Sequence, residues 1–141
     1  MDKVSIVIAS ISLVVAITSF TINYIFSKMR LFYDVYTNYT ANDNAQMACR
    51  EVKIGLAERD LENSAIFEVH LDQFLMFINT LLRISESIFI KKQCRKLITY
   101  ELNVIISSQS ISKNATLEKN HLDYLKRYIE ERTANENKKK Q

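Results

Sequence analysis

Four cations stand within six residues, Lys91, Lys92, Arg95 and Lys96, with Tyr100 one turn further along. On a helix, Lys91 and Arg95 are i, i+4 neighbours, as are Lys92 and Lys96, and like charges at that spacing repel unless an anion or acidic side chains stand between them. Phosphate meets this demand: arginine grips it with two parallel N–H donors, lysine supplies a point charge, and a tyrosine ring at position 100 can stack on a base. These five residues are the candidate ligand-binding set, suited to a nucleotide-like anion. The competing reading is a solvated cationic face, compensated by Glu101 and by the acidic first half of the chain. Lys126, Arg127 and the lysines at 138–140 either extend the patch or meet anionic lipid.

Other chemistry finds little material. His70 and His121 are far apart in sequence, and no group of His, Cys, Asp and Glu has metal-ligand spacing. Glu68, His70 and Asp72 share one helical segment, but His70 and Asp72, two residues apart, face different sides of it and form no acid–base pair. A single glycine, Gly55, leaves no material for a phosphate-cradling loop, a dinucleotide fingerprint or a nucleophile elbow. Cys49 and Cys94 lack the spacing of a thiolate zinc site or a disulfide scaffold, and fit a reducing compartment. The expectation is a non-enzymatic chain with no catalytic residues, no metal and no cofactor.

The elements that must position these residues are helical. The chain has no proline and one glycine in 141 residues, with abundant Leu, Ile, Lys and Glu, which predicts an all-α fold of one domain plus an anchor. The formal charge of +3 is unevenly spread: residues 31–90 hold four basic and nine acidic side chains, and 91–141 hold twelve basic and six acidic. Such halves either neutralise each other within a bundle or present a basic face to an anionic partner.

About four helices are expected in the domain. A polar break over 37–44, with Asn38, Asn42, Asp43 and Asn44 as turn formers and N-caps, precedes a helix over 44–59 that contains Gly55. Ile66, Phe67, Leu71, Phe74, Leu75, Ile78, Leu81 and Leu82 follow a helical period and mark the central helix. A third helix over 86–107 turns Phe89, Leu97, Ile98, Leu102 and Ile105 inward. After a serine-rich loop over 107–114, a fourth over 116–132 aligns Leu117, Leu122, Leu125, Tyr128 and Ile129. The domain partition is an anchor over 1–30, an aromatic connector over 31–43, a helical domain over 44–133 and a frayed basic tail over 134–141.

Residues 4–27 carry no charge; as a helix these 24 positions reach ~36 Å, against a hydrocarbon core of ~30 Å. Thirteen Val, Ile, Leu or Phe residues lie between positions 4 and 26, each favouring insertion by about 0.3–0.6 kcal/mol. A cleaved signal peptide would be shorter and end in small residues, whereas this run ends in Tyr24, Ile25 and Phe26. Lys3 precedes the run while Lys28 and Arg30 follow it, so the positive-inside bias places the following domain in the cytoplasm, on an inner-membrane anchor. The triplets Asn38-Tyr39-Thr40 and Asn114-Ala115-Thr116 match glycosylation acceptors and are attributed to the asparagine-rich composition. Tyr24, Phe26, Phe32, Tyr33, Tyr36 and Tyr39 form either an aromatic belt at the headgroups or a core stripe of the bundle.

Ser5, Ala9, Ser12, Ala16, Ser19 and Asn23 recur at alternating spacings of four and three inside the apolar run. Membrane helices associate through close backbone approach and interhelical hydrogen bonds, so this stripe is the candidate seam of a homo-oligomer, and several copies could line a narrow polar path with it. The competing reading is ordinary small-residue filler.

In layout, an N-terminal apolar helix followed by a compact helical domain, the whole chain resembles small membrane-anchored bacterial antiviral effectors, in particular the accessory effectors of type III CRISPR systems. That resemblance, which rests on no diagnostic motif, implies a cytosolic domain that binds a cyclic oligoadenylate and a membrane helix that then perturbs the bilayer. The alternatives are a passive membrane tether that recruits a protein partner, and an exclusion protein acting on incoming phage or plasmid DNA.

Overall fold

The computed structural model describes residues 2–53, 65–87, 89–108, 111 and 121–139. Among them the chain is all-helical, as its composition requires, with six helices: α1 Lys3–Thr40, α2 Asp43–Lys53, α3 Ala65–Ile84, α4 Lys91–Leu97, α5 Thr99–Ser107 and α6 Asp123–Lys139.

Helix α1 runs without interruption for 38 residues, ~57 Å. Its first part, through residue 20, is exposed on every side, whereas its last part enters the core. Thr21, Ile25, Lys28, Met29, Phe32, Val35, Tyr36 and Tyr39, spaced three and four apart, are the positions that lose exposure, with Phe32 and Tyr39 fully buried. Phe32 stacks on Tyr36, with ring centres 6.2 Å apart, and Tyr39 meets Phe74 at 6.1 Å and Phe77 at 5.8 Å on α3. The aromatic set therefore divides: Phe32, Tyr36 and Tyr39 form the core stripe, while Tyr24, Phe26 and Tyr33 stay exposed. The segment read as a connector belongs to the domain.

The chain reverses at Ala41-Asn42. Asn42 Oδ1 accepts a hydrogen bond from Ala45 N at 2.9 Å and satisfies one of the orphan donors that open α2. Helix α2 buries Ala45, Ala48, Cys49 and Val52, small side chains that let it pack closely on α3 and α5. The rest of the expected helix over 44–59, with Gly55, lies outside the described residues. Helix α3 supplies the core's centre through Phe74, Leu75, Ile78, Leu81 and Leu82, as its periodicity predicts.

Two corrections concern the expected third helix. Turns and a bend at residues 85–87 and 89–90 delay its start to Lys91, and a break at Ile98 (φ −105°, ψ 19°) divides it into α4 and α5. Phe89, on the turn, is 63% exposed, and Leu97, beside the break, is also exposed; neither faces inward. Ile98, Leu102 and Ile105 are buried as expected. On the C-terminal side Leu117 lies outside the described residues, Leu122 and Leu125 are buried, and Tyr128 and Ile129 pack partly against the core. Helix α6 begins after His121, whose φ of 52° makes the left-handed entry turn. Asn79 Oδ1 on α3 caps it, accepting from Tyr124 N at 3.1 Å and Leu125 N at 3.0 Å. The helix continues to Lys139, so the tail expected to fray is helical to that point.

Candidate functional site

Arg95 is the hub of the cationic row. Its Nη2 stands 3.4 Å from Glu86 Oε1 and its Nη1 3.8 Å from Glu131 Oε2, while the guanidinium lies 5.1 Å from the centre of the Tyr128 ring. Lys91 Nζ and Arg127 Nη1 also approach Glu86, at 3.9 and 3.8 Å, so one carboxylate serves three cations. Part of the row is thus compensated internally, among the described residues by Glu86 and Glu131 and not by Glu101.

Lys92 and Lys96 are exposed and meet no carboxylate among the described residues. With Arg95 and Arg132 they surround a cleft of about 310 Å³ between α4–α5 and α6, whose remaining walls are Thr99, Asn103 and Tyr128. Arg95 Nε is buried there without a hydrogen-bond partner, leaving the guanidinium a donor to spare. Four cations, two neutral hydrogen-bonding side chains and a tyrosine ring line it, a set of donors and positive charge chemically suited to an oxyanion.

Two members of the expected set lie elsewhere. Lys91 turns to Glu86 and does not line the cleft. Tyr100 is rotated away by the break at Ile98, which ends the i, i+4 relation to Lys96. Its ring sits under Lys53 Nζ at 5.0 Å, in a separate hollow shared with Val52 and Ser107. Sequence reasoning missed Tyr128 and Arg132, one turn apart on α6. Their i, i+4 pairing of an aromatic with a cation was the available signal; that α6 folds over α4 was not.

A second polar cluster is buried. Tyr39, Cys49 and Glu101 meet where α1, α2 and α5 converge, and neither Tyr39 Oη nor Glu101 Oε2 closes a hydrogen bond of good geometry. Burial pushes the Cys49 thiol up to about 11 and raises the Tyr39 phenol and the Glu101 carboxyl. The Cys94 thiol is raised for the same reason. Both cysteines are free, and neither has the depressed pKa of a reactive thiol. No group of three or more His, Cys, Asp or Glu comes together as a metal site among the described residues.

The apolar part of α1 is long and apolar enough to cross a membrane, and none of its most apolar stretch is buried in the fold. Burying a Val, Leu, Ile or Phe side chain is worth ~1.5–3 kcal/mol, so the twelve that stay exposed would forgo on the order of 20 kcal/mol in water. Ser5, Ala9, Ser12, Ala16, Ser19 and Asn23 are all exposed. At about 100° per residue they lie on the side of α1 opposite the stripe that docks the domain. Ser10, Thr18 and Thr21, off this seam, return their hydroxyls to carbonyls four residues back at 2.8–2.9 Å. The seam hydroxyls of Ser5, Ser12 and Ser19 make no such bond among the described residues.

A further groove of about 460 Å³ lies between α1 and α3, with Val35, Met76 and Phe77 on its walls. Comparison with protein-family models, with curated proteins and with solved structures returns no match.

Proposed function

We propose that this chain is a non-enzymatic, single-pass membrane effector. Its helical domain faces the cytoplasm from the inner membrane, binds a phosphate-bearing ligand in the cleft beside Lys92, Arg95, Lys96 and Arg132, and passes that event to an oligomeric membrane helix. The observation that carries the reading is the continuity of α1: one helix is lipid-compatible at its start and core at its end, with no linker to absorb motion. The cleft connects to this helix through one neighbour of its lining: Cys94, next to Arg95, reaches Met29 of α1 at 3.8 Å between sulfurs.

The seam supports the oligomer. In lipid an unmet hydroxyl seeks a partner, and Ser5, Ser12, Ser19 and Asn23 point away from the domain, where a second copy can approach unobstructed. A ligand shifts such an assembly only if it binds the rearranged state more tightly than the resting one. The cleft holds about one nucleotide unit, so a cyclic oligoadenylate, the ligand class suggested by the resemblance to CRISPR accessory effectors, would be shared between copies. Antiviral defence is the role that this resemblance suggests.

The test is full-length protein in dye-loaded vesicles, with a cyclic oligoadenylate added. Leakage that requires the ligand, Lys92 and Lys96, and an unaltered Ser12 and Asn23 is the expected result. Equal behaviour of Ser12→Leu/Asn23→Leu would remove the seam from the mechanism. A passive tether is the second reading, supported by the α1–α3 groove, whose Met76 is 58% exposed beside Phe77 and Val35. An intact membrane in every condition, with a protein partner bound over Met76, would favour it.

A further inference from the structure

The topology fixes which edge of the domain lies nearest the apolar segment. Helices α1 and α3 run antiparallel: Tyr39 meets Phe74 and Phe77, and Val35 shares a groove with Thr80. The last turn of α3 and the turn after it therefore descend along α1 toward residues 25–29. There Met29 touches Cys94, and Ile25 packs against the core. From Cys94 the chain climbs back, since Glu101 lies within electrostatic reach of Tyr36 and Tyr39. Lys91 precedes Cys94 by three residues, ~4.5 Å of helix, which sets the α3–α4 turn level with about Phe26.

That edge carries an unusual set of side chains. Phe89 is 63% exposed at its tip. Lys91 and Lys92 follow at once, and Glu86, the acidic neighbour, is already shared by Lys91, Arg95 and Arg127. On α1 at the same level, Tyr24 and Phe26 are exposed, Lys28 lies over the Tyr24 ring at 5.7 Å, and Arg30 is exposed. Exposed aromatic rings backed by cations, at the height where the uncharged stretch of α1 ends, match the headgroup layer of a bilayer: rings favour the interface, and near-surface lysines are drawn to anionic lipid.

We infer that this rim seats the domain on the membrane, with Phe89 entering the interface level with Tyr24 and Phe26, and Lys91 and Lys92 engaging anionic phospholipid headgroups. The inference rests on the proposed membrane crossing of α1 and adds a second point of attachment. Two attachments fix the domain's tilt as well as its tether, so the α3–α4 turn and the start of α4 are held at the lipid surface.

The chain contains no tryptophan, so one introduced indole reports its own depth. Full-length Phe89→Trp, Phe26→Trp and Met47→Trp proteins are reconstituted in phosphatidylcholine vesicles, with or without phosphatidylglycerol, and quenched by lipids brominated near the headgroup. Met47 is exposed on α2, two residues from Cys49, which lies against Tyr39 near the end of α1 away from the apolar run. The expected result is quenching of the Phe26→Trp and Phe89→Trp proteins but not of the Met47→Trp protein. Removal of phosphatidylglycerol, or Lys91→Gln with Lys92→Gln, should shift the Phe89→Trp seating equilibrium by about fivefold per lysine. Quenching of the Phe26→Trp protein without that of Phe89→Trp would overturn the rim while leaving the crossing intact. Absence of quenching in Phe26→Trp would overturn the crossing and the rim together. Equal quenching in Phe89→Trp and Met47→Trp, or indifference to phosphatidylglycerol and to both lysines, would also overturn the proposal.

Discussion

The two parts of α1 share one backbone, yet they meet different surroundings. Before residue 21 every side chain is exposed, and the hydroxyls of Ser10, Thr18 and Thr21 return to their own helix. After residue 28 one stripe is buried against α3 and α4 while the opposite face, with Arg30 and Asp34, carries charge. Absence of charge all round suits a lipid environment, and apolarity on one stripe suits a protein core. The comparison teaches that two changes mark the boundary together: charged residues return at Lys28, and Val, Ile, Leu and Phe fall from 13 of 24 positions over 4–27 to 3 of 13 over 28–40.

The largest effect should come from cutting the core stripe. Phe32→Ala is expected to destabilise the domain by about 3–5 kcal/mol in denaturant titrations in detergent, whereas Phe20→Ala should leave that stability unchanged. Next, Val14→Arg should cost membrane insertion about 2.5–3.5 kcal/mol, read as release by alkaline extraction, without altering the fold of the domain. Asn79→Ala, which uncaps α6, should cost about 0.5–2 kcal/mol and loosen Tyr128 and Arg132 from the cleft.

Glu101 gives a pH signature for the inner region. Its folded carboxyl is raised by burial, so the folded state holds its proton more tightly than the unfolded chain. Stability is fully present below the ordinary carboxyl range and falls as pH rises through the interval up to the raised value. Glu101→Gln should abolish that fall, and an unchanged pH profile would contradict the assignment. The smallest effect is expected for Lys92→Gln with Lys96→Gln. These exposed cations meet no carboxylate among the described residues, so stability should change by less than about 0.5 kcal/mol while anion binding is lost.

Much of this fold is written locally. The uncharged run, the absence of proline and the apolar period of α3 are properties of neighbouring residues, and each is legible directly. The division of the aromatic set is not local, since Phe32 and Tyr33 differ only in which side of α1 meets α3. The turns at 85–87 and 89–90 and the break at Ile98 carry no glycine or proline to announce them, which is why the periodicity alone misplaces Phe89, Leu97 and Tyr100. The cleft was half legible: Lys92, Arg95 and Lys96 cluster in sequence, but Tyr128 and Arg132 reach them only because Asn79 fixes the start of α6 from 45 residues away.

The central claim is that α1 is one rigid helix from the lipid-compatible segment into the core. Spin labels at Ser5→Cys and Thr37→Cys, both exposed positions, test it in lipid nanodiscs, because the native Cys49 and Cys94 are buried with raised thiol pKa values and resist labelling. Thirty-two residues of unbroken helix require a single narrow distance distribution centred near ~48 Å. A broad distribution, or one centred well below that value, would mean a hinge between the two regions and would contradict the proposed transmission from the domain to the apolar segment.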